Sequence, residues 1–438
     1  MAISITVGGQ DYTSGPGYQV ELPSVKVSED ILNDQWQMDF NIVIRDGAVP
    51  RPKACSEVIF TNGANREFAG VLATAKEHQI DPTTLRYKCI ANNYQQWFDR
   101  HMVAESYVQQ SADAIVKSMV SSFCPGFTTN NVQAAPVLPE QTVDYKAPSA
   151  AIRSLANMLA WQWYIDYAKD VHFFLAESIP SPLPGNALNA DTDLTSYGDL
   201  VFEEDGTQVK NTIIAKDFLV MSGTQVPIHV VADGTNTTFP LPQQPAGTSS
   251  RYLTVLVGGT SYNVVPDIAQ GMPGVAGPAG NTNAYISVGN RTVRFDVAPA
   301  SGAVISGSMY YKYQPIYVQN DPALIQEQAA LEGTDGIYEY AIQDPRLSAD
   351  DTSLAQARSG YLLAKYGTPN VSATFKSYLQ GWRAGQAFYL TTAKRMDGID
   401  GQWFYVAKCD KTIVTTAGSP VLQYDLTISD RPFLWGGS

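Results

Sequence analysis

The chain has 438 residues, which is long for one ordinary domain, and 44% of them are hydrophobic, enough to build a core. This composition excludes a disordered protein; only 16% of residues are charged, and 34 Gly, 26 Pro and 24 Tyr favour strands and turns over long helices. The net charge is −13 and no cluster of Lys and Arg is evident along the sequence, which argues against affinity for nucleic-acid phosphates.

The cysteine spacing, the N-terminal residues and the lengths of the apolar runs argue against several classes of protein. Cys55, Cys89, Cys124 and Cys409 are far apart and form no CxxC motif, so we expect neither a zinc site nor a disulfide framework. The start of the chain has no basic residues followed by a long apolar run, so we expect no signal peptide. No stretch approaches the roughly 20 apolar residues that a membrane-spanning helix needs.

The first hundred residues have the pattern of a small all-β unit. Between Trp36 and Ile44 apolar and polar residues alternate, which is typical of a strand with one buried face. Residues 68–72 and 87–92 are two further apolar runs, separated by a polar stretch with the turn signal Asp81-Pro82. We predict that they form a pair of antiparallel strands.

Two helices and an aromatic strand follow. Ser111 is a plausible N-cap for a helix with apolar residues on one face, and a second amphipathic helix is predicted from about Ser149. Residues 161–166 (WQWYID) are predicted to form a strand. Its tryptophans could line a sugar site, but burial in a core is favoured. The acidic triplet at residues 203–205, beside Gly206, is interpreted as a solvated hairpin turn rather than a glycosidase pair.

The composition changes at about residue 223. From there to about residue 316 the chain is rich in Gly, Thr, Ser, Val and Pro, and short β-branched runs alternate with turns. This predicts a self-contained inserted β-sandwich. Inside it glycines recur every third residue, as in collagen, but three triplets are too few for a triple helix, so we expect an exposed flexible loop; the glycines are Gly271, Gly274, Gly277 and Gly280.

Beyond the insertion we predict a strand over residues 336–342 and then a helix over 351–366. Asp350, Asp351 or Ser353 would cap this helix, which explains the adjacent aspartates better than catalysis does. Gly367 and Pro369 mark its end.

The last seventy residues repeat the pattern of the first hundred. Residues 371–379 alternate like residues 36–44, and two apolar runs follow, at 401–409 and 424–431. Phe404 precedes Tyr424 by twenty positions, while Phe68 precedes Tyr87 by nineteen. We interpret this as one all-β unit at each end of the chain, although two unrelated β meanders could look this similar by chance.

Together these patterns predict a mainly β fold with a few helices (α+β). The predicted segments are a first all-β unit (1–100), an intermediate α+β region (101–222), the inserted β-sandwich (223–316), a return to the main body with the helix 351–366 (317–368), and a second all-β unit (369–438).

We find no sequence signature of catalysis. There is no G-x-S-x-G, no P-loop and no H-E-x-x-H, and no two of the four histidines (His78, His101, His172 and His229) lie within four positions of each other. We therefore assign no catalytic, cofactor-binding or metal-binding residue, and we expect a structural role rather than an enzyme.

The order of these signatures resembles the tail hub (baseplate hub) proteins of long-tailed bacteriophages. The stretches that carry the resemblance are FAGV at 68–71, YKCIAN at 87–92, SAAIRSLA at 149–156, WQWYID at 161–166, VKNTII at 209–214, GIYEY at 336–340, AQARSGYLLAKYG at 355–367 and the closing all-β unit. No single motif is specific, and the weight lies in their order and spacing. The resemblance implies that each all-β unit is a tail-tube-like β-barrel.

The resemblance also implies a function. Three copies of a hub with two barrels each would form a six-barrel ring, which would join a hexameric tail tube or distal-tail ring to a trimeric central spike or tail fibre. The expected partners are two further copies of the chain, those tail proteins and the tape-measure protein. DNA would pass through the lumen without sequence-specific binding, and no cofactor is expected. The expected location is the virion tail tip, after synthesis in the host bacterial cytoplasm.

Two alternatives stay open at this point. The inserted module at 223–316 could bind or depolymerise host carbohydrate, which would make the chain a receptor-binding tail protein. A hub of a bacterial secretion or contractile injection system would share the fold.

Overall fold

A computed structural model of the chain describes residues 3–31, 36–159, 161–175, 179–193, 195–267, 283–393, 399–416 and 418–431. The fold is mainly β, with a nearly closed barrel and a half-barrel, which confirms the predicted fold class. Two compact units are present. The first consists of Met1–Thr212, Asp321–Tyr338 and Gly360–Ser438, and the second of Ile213–Asn320 and Glu339–Ser359. The division into five segments stays a prediction.

The N-terminal part of the first unit is built almost entirely of strands. Polar and buried residues alternate along β6 and β9, so one face of each strand can pack against a core. The elements are β1 (Ile3–Val7), β2 (Gln10–Asp11), β3 (Ser14–Gly15), β4 (Tyr18–Val20), β5 (Lys26–Asp30), β6 (Gln37–Arg45), β7 (Glu57–Asn62), β8 (Asn65–Asp81), β9 (Thr84–Asn92) and the short helix α1 (Gln95–Phe98).

The middle of the first unit contains the two predicted helices. Ser111 precedes the first of them in an extended conformation, and Ile115, Val116, Met119 and Val120 form its buried face. The elements are β10 (Val103–Ser111), α2 (Ala112–Phe123), β11 (Thr128–Val132), β12 (Val137–Lys146), α3 (Pro148–Leu159), β13 (Gln162–Ile165), β14 (Asp170–Phe174), β15 (Ala187–Asn189) and β16 (Gly198–Asp205). Trp161 and Trp163 are buried, which confirms the packing interpretation.

The second unit contains β17 (Thr212–Lys216), β18 (Val220–Met221), β19 (Val226–Val231), β20 (Thr238–Pro240), β21 (Leu253–Val257), β22 (Thr260–Pro266), β23 (Asn283–Ser287), β24 (Thr292–Phe295), β25 (Val304–Met309), β26 (Lys312–Tyr313), β27 (Tyr317–Asn320) and β28 (Glu339–Gln343). Helix α4 (Pro322–Glu332) separates β27 from β28 in sequence and belongs to the first unit. Seven of the strands follow one another in the order β19-β25-β21-β22-β23-β24-β20, all within the predicted insertion. Their own apolar core includes Ile228, Leu253, Val255, Ile286, Phe295 and Ile305.

The C-terminal part of the first unit begins at Gly360, within helix α5 (Ser353–Tyr366). The carbonyl of Thr352 accepts the first helical bond, from the Gln356 amide, and Asp351, one of the predicted capping residues, accepts a hydrogen bond from the Ser353 amide just before it. The strands β29 (Asn370–Ser377), β30 (Ala387–Thr392), β31 (Ile399–Thr416) and β32 (Ser419–Ser429) follow. Gly418, with a φ of 78°, lies in the turn between the last two strands.

The largest sheet runs through the first unit in the order β16-β29-β32-β31-β5-β6-β9-β8-β7-β1-β2, with β3, β4, β15 and β30 attached to its sides. Within it two sets of four strands share one topology. In the N-terminal set, β6 pairs with β9, β9 with β8, and β8 with β7. In the C-terminal set, β29 pairs with β32, β32 with β31, and β31 with β30. All six pairings are antiparallel.

The repeated aromatic positions fall on corresponding strands of the two sets. Phe68 and Tyr87 lie on β8 and β9, and Phe404 and Tyr424 lie on β31 and β32; all four are buried. In the N-terminal set the backbone at Asn92 lies so close to Gly70 that a side chain there would clash: a Cβ at Gly70 would lie 2.0 Å from the carbonyl oxygen of Asn92.

One local prediction was wrong. The acidic triplet at residues 203–205 is not a hairpin turn but the last part of β16, with Glu203 opposite Ser372 and Asp205 opposite Asn370. The neighbouring strand β29 supplies the backbone hydrogen bonds that hold these polar residues extended. The turn comes directly afterwards, where Asp205 accepts hydrogen bonds from the amide and hydroxyl of Thr207.

Two further elements differ from the sequence prediction. The strand predicted over 336–342 begins only at Glu339, and α4 was not predicted. The apolar residues of helix α4 do not lie on one face, and the helix buries none of its residues, so the pattern that predicts an amphipathic helix is missing. The Asp321 side chain caps its start, and Gly333 in the left-handed conformation ends it. The collagen-like glycines Gly271, Gly274, Gly277 and Gly280 lie outside the described residues. None of the helices in the described ranges is long and apolar enough to cross a membrane.

Replacing Phe404 by Ala should lower the free energy of unfolding by about 3–5 kcal/mol, because its side chain is fully buried in the C-terminal set. Trp403 is the matched control, since it is the adjacent residue on the opposite face of β31 and is 49% exposed. Trp403→Ala should cost only about 1–1.5 kcal/mol. Urea unfolding followed by circular dichroism measures both, and equal losses would contradict the assignment of the buried face.

Candidate functional site: a continuous sheet with a buried ion cluster

Strand β5 joins the two four-strand sets into one sheet. On one side it pairs with β6 of the N-terminal set, and on the other with β31 of the C-terminal set. In the second pairing Glu29 lies opposite Cys409 and Val27 opposite Lys411. Both pairings are antiparallel, so backbone hydrogen bonds connect residues near the two ends of the chain without interruption.

The buried face of this junction carries charges. Side chains alternate between the two faces of a strand, and the buried positions of β5 and β31 include Val27, Glu29, Cys409 and Lys411. Glu67 of β8 is buried on the same side. Charged side chains are rarely fully buried unless they are paired, so their contacts identify what the fold requires here.

Lys411 lies between the two glutamates. Its Nζ atom is 2.5 Å from Oε1 of Glu29 and 3.4 Å from Oε2 of Glu67, and it donates a hydrogen bond of 2.8 Å to the main-chain carbonyl of Glu67. None of the three side chains is exposed to solvent. We call Glu29, Glu67 and Lys411 the ion cluster.

Two tyrosines and a backbone amide donate further hydrogen bonds to the carboxylates, and Oε2 of Glu67 is left with the ion pair to Lys411 alone. Tyr167 donates to Oε1 of Glu29 over 2.6 Å, and Tyr424 donates to Oε1 of Glu67 over 2.7 Å. The amide of Ala384 donates to Oε2 of Glu29 over 2.9 Å. The cluster therefore holds together β5, β8, β31, β32, the loop before β30 and the segment between β13 and β14.

The electrostatics match this geometry. Burial alone would lower the pKa of Lys411, but the Glu29 and Glu67 carboxylates outweigh it and the pKa is raised. Burial, reinforced by the bonded glutamate in each case, raises the pKa of Tyr167 and of Tyr424 well above the ordinary value. The lysine therefore stays charged and both tyrosines stay neutral hydrogen-bond donors.

The opposite face of the junction is polar and partly exposed. One row of side chains crosses it from strand to strand in register: Lys376, Asp425, Asp410, Ser28, Gln37 and Asn92. Ser28 donates to Asp410 over 2.6 Å across the β5–β31 pairing, and Lys408 pairs with Asp410 at 2.6 Å. This face is the part of the continuous sheet that is available to other molecules.

The histidines do not form a catalytic group. His78, His101 and His229 are exposed, whereas His172 is buried against the ring of Tyr164, with 4.3 Å between ring centroids. Its Nε2 atom lies 3.6 Å from Asp166. Burial alone would raise the pKa of Asp166, but contacts with His172 and with the amides of Asp170 and Ala168 hold it below the ordinary value. The pair ties β14 to the loop that precedes it.

Across the described ranges, no three or more side chains of His, Cys, Asp or Glu are grouped so that they could hold a metal ion. The four cysteines are free thiols, and Cys89 and Cys409 are buried within β9 and β31.

Sequence reasoning missed the ion cluster. One signal was present: Glu29 and Lys411 stand at positions where the alternation of β5 and β31 calls for an apolar residue. The partners could not be identified in this way, because Glu29 and Lys411 are 382 positions apart in the chain.

Comparison with solved structures identifies the fold. The 43 kDa tail protein of prophage MuSo2 from Shewanella oneidensis aligns over 97% of both chains with a TM-score of 0.54 and 9% identity. A tail protein from Neisseria meningitidis MC58 gives 0.53 and 10% identity over 99% of this chain and 97% of that chain. Prophage tail protein gp18 from Listeria monocytogenes EGD-e gives 0.51 and 10% identity over 98% and 94%.

The chain has a phage tail protein fold. The alignments extend over nearly the whole of each protein, including both four-strand sets. No protein-family model and no curated protein matches the sequence, so the likeness lies in structure and not in sequence. At about 10% identity the tail-protein fold is shared although most side chains differ.

Replacing Lys411 by Met should lower the free energy of unfolding by about 3–5 kcal/mol, because it leaves two buried carboxylates without their counter-charge. Lys408 is the matched control, since it lies on the same strand but is 43% exposed and pairs with Asp410 at the surface. Lys408→Met should cost at most about 1 kcal/mol.

Denaturant unfolding of both variants at neutral pH gives the comparison. Similar stabilities for Lys411→Met and the unchanged protein would show that the ion cluster does not hold the two sets together.

Proposed function

We propose that this chain is a structural protein of a phage tail and forms the trimeric hub of the tail tip. The observation that supports it is the repeated strand order in one continuous sheet. A chain with two topologically equivalent strand sets contributes two positions to a ring, so three copies supply six. In such a ring the three chains would be related by threefold symmetry, and the six strand sets would be related by approximate sixfold symmetry.

This symmetry suggests the partners of the hub. A ring with six similar strand sets would stack on a hexameric tail tube or distal-tail ring, and the threefold arrangement of the other parts would hold a trimeric central spike or fibre. The tape-measure protein and DNA would pass through the opening. The net charge of −13 would reduce the adhesion of DNA to the wall of such a channel.

In this proposal the chain is a scaffold and not an enzyme. The charged groups buried at the junction are explained by cohesion between strands, since each is bonded to a neighbour that it helps to position. The virion tail tip is the proposed location.

Light scattering on the purified chain tests the proposal. We expect a species of about three times 47.6 kDa. Negative-stain images should show a ring with six peripheral lobes around a central opening.

A chain that remained at 47.6 kDa up to high concentration and bound glycans through residues 223–316 would contradict the hub and favour a receptor-binding role. Deletion of the module, with the first unit kept intact, is the control that would locate such binding. Cleavage of peptidoglycan or polysaccharide by the isolated protein would contradict the scaffold role.

A further inference from the structure

The two four-strand sets match residue by residue along their long strands, as well as in topology. The pairing of each long strand with the strand that follows it shifts by one residue, after Leu72 in β8 and after Val406 in β31. Counted from this shift, the fourth cross-strand pair contains a tyrosine in both sets: Glu77–Tyr87 in the N-terminal set and Lys411–Tyr424 in the C-terminal set. The shift therefore aligns residues 74–78 of β8 with residues 408–412 of β31.

In the C-terminal set this part of the long strand is covered on both edges. Strand β32 pairs along one edge of β31. Along the other edge, β30 pairs as far as Tyr405, and β5 pairs from Lys408 to Thr412. The covered residues are buried or half-buried, and Lys411 among them forms its ion pair with Glu29 of β5. Strand β5 thus completes both the backbone hydrogen bonds and the charge pairing of β31.

In the N-terminal set the matching edge is open. Strand β7 pairs with β8 only as far as Val71, and the last main-chain bonds on that side join Leu72 to Cys55 and Ser56. Within the described part of the chain, residues 74–78 pair with β9 alone, and four of the five are exposed. We call this edge of residues 74–78 the open edge. Its unpaired backbone N–H and C=O groups can bind one more strand.

The charge on the buried side of the open edge is the reverse of that on β31. Glu77 stands at the position that Lys411 has in β31. It is exposed and accepts a hydrogen bond of 2.6 Å from the hydroxyl of Tyr87, whereas Lys411 is enclosed by the carboxylates of the ion cluster. A strand in the place of β5 would cover Glu77 as well, and a buried carboxylate needs a cation beside it.

The opposite face shows the same reversal. Asp410 lies opposite Asp425 in the C-terminal set, and Lys76 lies opposite Lys88 at the matching place in the N-terminal set. Like charges placed directly opposite each other on paired strands are destabilising, so an acceptor on the added strand would stabilise the two lysines. Asp81 lies beyond the open edge, at the start of the hairpin turn, where its carboxylate accepts hydrogen bonds from the turn itself.

We propose that the open edge of β8 binds an extended segment of a different protein, which adds a strand there and places a Lys or Arg side chain against Glu77. The segment would take the place in the N-terminal set that β5 has in the C-terminal set. This inference goes beyond the proposed hub and does not depend on its ring.

Strand β5 of a second copy does not fit the open edge. Both edges of β5 are already paired, one with β6 and the other with β31. In the register that β5 has on β31, it would also bring the carboxylate of Glu29 close to that of Glu77. The reversed charges therefore favour a partner whose sequence differs from β5 at this position.

Peptides based on β5 test the proposal. The probes are fluorescent peptides with the sequence of residues 24–31, either unchanged or carrying Glu29→Lys, and fluorescence anisotropy measures their binding to the full chain. The Glu29→Lys peptide should bind at least about tenfold more tightly than the unchanged peptide, because its cation faces Glu77. Glu77→Lys in the chain should reverse this preference. Glu339→Lys is the matched control, since Glu339 is also exposed on an edge strand, and it should leave the preference unchanged.

A cross-link tests the register. Ser28 of β5 lies opposite Asp410, and Lys76 is the residue of β8 that matches Asp410. In a Cys55→Ser background, which removes the exposed thiol, Lys76→Cys should form a disulfide on mild oxidation with a Glu29→Lys peptide that also carries Ser28→Cys. Lys146→Cys, at an exposed position away from the open edge, should not.

Each outcome supports or overturns the proposal, once circular dichroism has shown that each variant is folded. Equal affinity for the two peptides, or a preference that survives Glu77→Lys, would overturn it. A fall in the light-scattering mass of the chain alone on Glu77→Lys would show that a second copy occupies the open edge, and would exclude a different partner. A wild-type chain that never exceeds the mass of one copy but prefers the Glu29→Lys peptide would contradict the hub and support this proposal.

Discussion

The pairing of Lys411 with Glu29 and Glu67 is the interaction on which the arrangement of the first unit depends. Transfer of three charges out of water is costly, and the cost is offset only when every partner is in place. Tyr167, Tyr424 and the Ala384 amide must therefore reach the carboxylates in the same folded state in which β5 lies beside β31. Because these groups come from distant parts of the chain, the cluster stabilises one strand register and excludes others.

That register gives the sheet two different faces. The inner face holds the ion cluster and the buried aromatic residues, while the outer face carries a row of amides, hydroxyls and paired charges. With β5 between them, the N-terminal and C-terminal sets form parts of one hydrogen-bonded body. One chain then holds two adjacent strand sets of the same topology, which is the property that the proposed threefold hub would need in order to stack on a sixfold tube.

Local pattern was sufficient to predict much of this fold. Three kinds of signal depend only on neighbours in sequence, and the structure has an element at each. They are the alternation from Trp36 to Ile44, the helix after Ser111, and the spacings of Phe68 to Tyr87 and of Phe404 to Tyr424. The triplet at 203–205 was misassigned because its strand exists only through pairing with β29. The ion cluster depends on residues that the topology brings together: the alternation marks Glu29 and Lys411 as charged residues at apolar positions, but no local pattern could show that they pair across 382 positions.

The symmetry of the assembled particle tests the central claim most directly. Electron cryomicroscopy of the purified assembly, averaged without imposed symmetry, should give three chains whose six four-strand sets occupy similar positions around one axis. The N-terminal and C-terminal sets should then superpose after a rotation of about 60°, as six positions in a ring demand. Three chains with the two sets at different radii, or stacked along the axis, would contradict the account.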